Sequence, residues 1–158
     1  MSYDDPQGRA SAAFRPDSEV EGLVRPKTAT RFTAPGSVTD GRYGLFRWDM
    51  QPRAGGPEPH FHRTFAEAFY VLSGTVELYD GTGWVTAQAG DFLHVPEGGI
   101  HAFSNRTDEP ASMLILFAPG IAREEYFRGL AEIADSGRKL SPDEMTAFLA
   151  RHDQYMVE

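Results

Sequence analysis

What most constrains the fold of this chain is its punctuation. Between Thr28 and Phe117, Gly, Pro and Asp-Gly signals break the sequence about every 8–12 residues into short apolar or alternating runs. Runs of that length with period-2 alternation are strands, and none keeps a helical period over a useful length. The expected strands are Thr28–Ala34, Arg42–Met50, Ala66–Leu72, Thr75–Tyr79, Trp84–Gln88, Phe92–Val95, His101–Asn105 and Ala111–Phe117. A further extended stretch, His60–Phe61–His62, follows a Pro/Gly loop. Asp40-Gly41 and Asp80-Gly81 are turn signals between runs. Many short strands with regular turns describe an all-β sandwich or barrel.

Past Pro119-Gly120 the period changes. Phe127, Leu130, Ala131 and Ala134 fall on one helical stripe, and Gly137 is a natural stop. Ser141-Pro142-Asp143-Glu144 reads as a capping box with proline at the first helical position. Met145, Phe148 and Leu149 form the apolar face of that second helix. The expected organisation is therefore a flexible N-terminal arm at 1–22, a barrel at 23–119 and a C-terminal helical extension at 120–158. The two helices are expected on the outside of the barrel or in a dimer contact, and a homodimer is expected.

Composition narrows the function. The 158 residues hold 15 Lys plus Arg against 23 Asp plus Glu, a net charge of -8, which disfavours binding to nucleic acid or to an anionic membrane. The longest strictly apolar run, Met113 to Ala118, is far too short to span a bilayer. The first residues are polar with no apolar stretch, so a cytoplasmic location is expected. There is no cysteine, so a metal must be held by nitrogen and oxygen.

Three histidines and one glutamate supply such donors. Residues two apart on a strand face one side, so the imidazoles of His60 and His62 can meet. Glu67 lies five residues further on, across a turn. His101 is distant in sequence and joins them only if the sheet closes on itself. Three imidazoles and a carboxylate suit Fe, Mn, Ni, Co, Cu or Zn and leave coordination positions open.

Two spaced motifs frame these residues. In the first, His60-Phe61-His62 is followed after four residues by Glu67 and after six more by Gly74. In the second, Gly90, Pro96, Gly98, His101 and Asn105 follow in order. Both resemble the paired motifs of the cupin superfamily in every spacing but one: Ala54 stands where the first motif has its leading glycine, with Gly55-Gly56 just after. The resemblance covers about Thr28 to Pro119. It implies a double-stranded β-helix, or jelly-roll, barrel with two short C-terminal helices. It also implies that His60, His62, Glu67 and His101 ligate one divalent transition metal, and that Asn105 is structural. Gly98 is expected to relieve crowding near His101.

Ala118-Pro119-Gly120 and Tyr126-Phe127, taken with the four ligands, look like cupins similar to quercetin 2,3-dioxygenase. That likeness implies a metal-dependent oxygenase acting on a small aromatic or enol-type molecule, with Glu67 as ligand and catalytic base. The alternatives are a non-redox cyclase or isomerase of polyketide-like substrates, and a binding cupin without turnover. Phe46, Trp48, Met50, Phe69, Val71 and Phe103 are expected to line the substrate pocket, being on the strand faces that carry the ligands or on a neighbouring strand. His94 is read as structural, His152 as solvated and Tyr70 as exterior.

Overall fold

Strand β10 (Ala111–Ala118) runs through the middle of the larger sheet and sets its inner face. Met113, Ile115 and Phe117 are fully buried at alternate positions, as period-2 alternation requires. Each such side chain stabilises the fold by about 1.5–3 kcal/mol. The computed structural model describes residues 2–158. On one side of β10 lies β3 (Gly44–Met50), which places Phe46 opposite Ile115 and Trp48 opposite Met113. On the other side lies β5 (Ala66–Ser73), which places Phe69 opposite Ile115 and Glu67 opposite Phe117. Glu67 therefore shares its parity with Phe69 and Val71 and faces the interior.

The remaining strands complete two antiparallel sheets and a pair. β1 (Gly22–Val24) and β2 (Thr28–Ala34) extend the larger sheet beyond β3, and β8 (Phe92–Val95) closes its far edge beside β5. β6 (Thr75–Tyr79) is flanked by β7 (Trp84–Gln88) and β9 (Ala102–Ser104). One core cluster joins the sheets: Phe46, Met50, Phe69 and Val71 from the larger pack with Val76, Leu78, Ala87 and Phe103 from the smaller. The rings of Phe69 and Phe103 meet across the gap at 5.6 Å. The result is the jelly-roll barrel.

After β10 come α1 (Arg123–Asp135) and α2 (Pro142–Arg151), then a last short strand, β11 (Tyr155–Met156). α2 begins with the expected capping box: Ser141 accepts from the Glu144 N–H, and the Glu144 carboxylate accepts from the Ser141 N–H. α1 departs from its expected face. Its buried residues are Arg123 and Tyr126, and Ala134 is exposed. Phe127 and Leu130 hold their expected places, the Phe127 ring lying 5.8 Å from Phe46 and 5.3 Å from Trp48, but the packed stripe continues through Ile133 and not Ala134. β11 then pairs with the two-residue strand β4 (His60–Phe61). No helix among the described residues is long and apolar enough to cross a membrane.

Candidate metal centre

The two halves of the site are joined by backbone. His60 and His101 form an isolated antiparallel bridge: the His60 N–H donates to the His101 carbonyl at 3.1 Å, and the return bond is 2.9 Å. Such a hydrogen-bonded pair sets the two side chains directly opposite on one face. The Gly98 N–H donates to the His62 carbonyl at 2.7 Å, tying the second turn to the first. Gly98 has φ +79°, and a side chain there would meet nothing within 4 Å. Its role is thus a left-handed turn and not relief of crowding. Gly56 is the glycine demanded by close approach: a Cβ would fall 2.0 Å from the Phe103 carbonyl oxygen.

These contacts bring the four donors together. One ligand atom from each of His60, His62, Glu67 and His101 lies within 4.8 Å of all the others, and all four residues are buried. Each ring is fixed from behind. The Nδ1 of His60 lies 2.8 Å from the Glu58 carbonyl, that of His62 2.6 Å from the Asp153 carbonyl, and that of His101 2.9 Å from the Gly99 carbonyl. A carbonyl only accepts, so every Nδ1 carries the proton and donates. That leaves each Nε2 as a lone pair turned away from the anchoring carbonyl, which is the tautomer a metal requires.

The inner side of the cluster calls for a cation. Glu67 Oε2 sits 2.7 Å from His101 Nε2 and 3.0 Å from His62 Nε2. Two lone pairs and a carboxylate at those distances repel unless a proton or a metal lies among them. Burial pushes the Glu67 carboxyl upward, but the close contacts with the His101 and His62 rings outweigh it and hold Glu67 well below the usual carboxylate range. Burial pushes His101 down, yet its bond to Glu67 leaves it raised. Burial and the neighbouring His101 drop His60 to about 3. The donor set therefore fits a divalent transition ion held by three imidazoles and one carboxylate.

A cavity of about 310 Å³ opens on this cluster. His60 and Glu67 form part of its wall, with Trp48, Phe103, Phe117 and Phe127 around them. Of the six residues expected to line a pocket, Trp48 and Phe103 do so. Phe46, Met50, Phe69 and Val71 instead belong to the packed core, because a barrel this narrow is filled by its own side chains. A larger, shallower groove of about 450 Å³ between α1 and α2 shares no lining residue with this cavity and contains no histidine, so the chemistry belongs to the smaller one.

The C-terminal region adds Arg123, Tyr126, Leu130 and Gln154 to the wall. No motif spacing marked these residues in the sequence. The one available signal was a charged residue, Arg123, on an otherwise apolar helical stripe. Asp153 is a second residue without a motif. Its carboxylate accepts from the Arg63 and Thr64 N–H groups and from the Thr64 hydroxyl, while its carbonyl holds His62. His152, expected in solvent, is half-buried with its ring 4.9 Å from that of Phe148. Asn105 is structural: its amide donates to the Gln51 and Glu109 carbonyls, and its oxygen accepts from Thr107. His94 and Tyr70 are exposed.

The comparisons agree with this geometry. The family model described as a cupin domain matches residues 46–117, the segment that carries both motifs. Quercetin 2,3-dioxygenase of Bacillus subtilis (strain 168) is 28% identical over 115 residues, covering 72% of this chain and 33% of that protein. The chain thus spans about a third of the length of that curated relative. An RmlC-like cupin from Shewanella frigidimarina superposes with a TM-score of 0.60 at 20% identity, covering 73% of this chain and 96% of the other. A sugar phosphate isomerase of the cupin superfamily from Silicibacter pomeroyi superposes with a TM-score of 0.53 at 25% identity, covering 64% and 72%. Both histidine motifs fold onto one point of a jelly-roll, residues 46–117 match the cupin domain, and the fold is the one these cupin structures share.

Proposed function

We propose that this chain holds one divalent transition metal through His60, His62, Glu67 and His101 and acts as an oxygenase on a small aromatic or enol-type substrate. The observation that carries the metal is the back-anchoring of all three imidazoles, which leaves three Nε2 lone pairs and the Glu67 carboxylate converging on one point. The oxygenase reading is supported by the likeness to quercetin 2,3-dioxygenase and by the aromatic cavity beside the donors.

When bound, the ion supplies a Lewis acid with open positions and lowers the pKa of a substrate hydroxyl beside it. The chain does the rest. Trp48, Phe103 and Phe127 hold a flat substrate body and exclude water from it. Glu67 is the one carboxylate in the cavity wall, so it is the group placed to take the hydroxyl proton. The carbonyls of Glu58, Asp153 and Gly99 keep the three rings in one tautomer throughout.

The test is reconstitution with Fe, Mn, Ni, Co, Cu and Zn in turn, followed by oxygen uptake with a flavonol. The expected result is metal-dependent uptake, lost by about 10²–10⁴-fold in Glu67→Gln while much of the metal remains bound. Metal bound but no uptake with any ion overturns the oxygenase reading. The second reading, non-redox isomerisation, is favoured by the isomerase neighbour. It predicts product of unchanged oxidation state formed under argon.

A further inference from the structure

Arg123 is a buried cation with no carboxylate of its own. It is 4% exposed. Its Nη1 donates to the His152 carbonyl at 2.9 Å and its Nη2 to Gln154 Oε1 at 2.6 Å. Its guanidinium lies 3.8 Å over the Tyr126 ring. Every one of these partners is neutral, and Arg123 forms no salt bridge among the described residues. Its Nε is buried with no hydrogen-bond partner at all. A desolvated charge left in this state is costly unless something compensates it.

A second buried donor lies in the same wall. Trp48 Nε1 also lacks a partner, and Trp48 and Arg123 both line the cavity that holds His60 and Glu67. Within that wall, Glu67 is already bonded to His101 and His62, so its charge is committed to the ligand cluster. The guanidinium remains as the uncompensated charge of the cavity. The surfaces between are aromatic: Phe103, Phe117, Tyr126 and Phe127. A molecule that matches this wall is flat, apolar over its body, and carries an anionic oxygen.

We propose that Arg123 is the charge partner of an anionic oxygen on an aromatic or conjugated ligand, a carboxylate or an ionised hydroxyl, with the Trp48 indole N–H as a second donor. The proposal deepens the substrate class named above and rests on it only for the location of the site. Charge-assisted hydrogen bonds formed away from water are the strong ones, so the anion outcompetes a neutral ligand of the same shape. Arg123 would also tie substrate binding to the C-terminal tail, since the same guanidinium holds His152 and Gln154.

The test is direct binding with matched probes, by calorimetry, in metal-free and in zinc-loaded protein. One pair is 2-naphthoate against 2-naphthamide, for a carboxylate. The other is 3-hydroxyflavone above its hydroxyl pKa against flavone, for an ionised hydroxyl. Wild type should bind at least one anion about tenfold more tightly than its neutral counterpart. Arg123→Gln should erase that preference while the neutral probe keeps its affinity, and Arg123→Lys should restore part of it. Trp48→Phe, which keeps a ring but removes the N–H, should weaken the anion by a few-fold. Equal binding of anion and neutral probe by wild type overturns the proposal, and that result needs no variant to fold. A preference that survives in Arg123→Gln overturns it as well. Oxygen uptake is not read, so failure of the oxygenase reading leaves this outcome legible.

Discussion

The site has two walls of different origin. The barrel wall brings His60, His62, Glu67 and His101 together through local turns and one backbone bridge. The C-terminal wall brings Arg123, Tyr126 and Gln154 to the same cavity, and the Asp153 carbonyl to the back of His62, across 91 residues of sequence. The barrel wall supplies donors, whereas the C-terminal wall orients one of them and supplies the uncompensated charge. A ligand set can therefore be fixed by short-range geometry while its tuning is fixed by docking.

Removing a donor breaks the barrel wall outright. His62→Ala and His101→Ala should each lower metal affinity by more than about 100-fold, since losing even a residue that supports a ligand costs 10–100-fold. Elemental analysis after dialysis checks this. Metal content equal to wild type in both variants would show that the four residues do not form the site.

Acid probes the same wall in the metal-free protein. His60 is held near 3 in the folded state, chiefly by burial, against an ordinary value of 6.5. The unfolded chain thus takes up a proton below 6.5 that the folded one refuses, and stability falls by about 1.4 kcal/mol per pH unit between 6.5 and 3. His101 does not oppose this loss. Its folded value is raised, so its contribution is complete below the unfolded value and declines only as pH rises through the folded one. Glu67, held low, adds a loss of the same sign below about 4.5. Urea titrations of chelator-treated protein across this range should show the decline, and His60→Gln should flatten it. A flat profile in wild type would mean that His60 is not desolvated.

The C-terminal wall is broken at Asp153. Asp153→Ala removes the acceptor of the Arg63 and Thr64 N–H groups at a position with φ +54°, which alanine tolerates poorly. With the His62 carbonyl anchor displaced, metal affinity should fall by about tenfold. Asp153→Asn, at ease in that backbone region, should cost less. Titration with a competing chelator measures both, and an unchanged affinity in Asp153→Ala would reduce the tail to a passive cover.

Legibility follows the same division. Trp84–Gln88 and Phe92–Val95 were readable to the residue because turn signals bracket them and alternation fills them. The four donors are legible through the two spaced motifs and the resemblance those motifs carry. The expected strand Arg42–Met50 is two residues too long: the strand starts at Gly44. The pocket was readable only in part. Parity says that Phe69 and Val71 point inward with Glu67, but not that the interior closes over them and opens beside Phe103. Arg123 and Asp153 escaped because nothing local demands them. Their partners are set by where α1 and β11 land.

The smallest effect separates docking from local propensity. Ser141 caps α2 by a motif visible in the sequence, and α2 carries Phe148 against Tyr126 at a ring distance of 6.2 Å. Ser141→Ala leaves the Glu144 N–H without its acceptor and should cost about 1 kcal/mol. For a chain of this size that is about 2–4 °C in melting temperature. α2 leads directly into His152, Asp153 and Gln154, yet their hydrogen bonds to Arg123, Thr64 and His62 hold the tail independently of the cap. Metal affinity should therefore stay within about twofold of wild type, a change of less than half a kcal/mol. A tenfold loss in this variant would place α2 itself among the elements that orient His62, and the second wall would begin at Ser141 and not at Asp153.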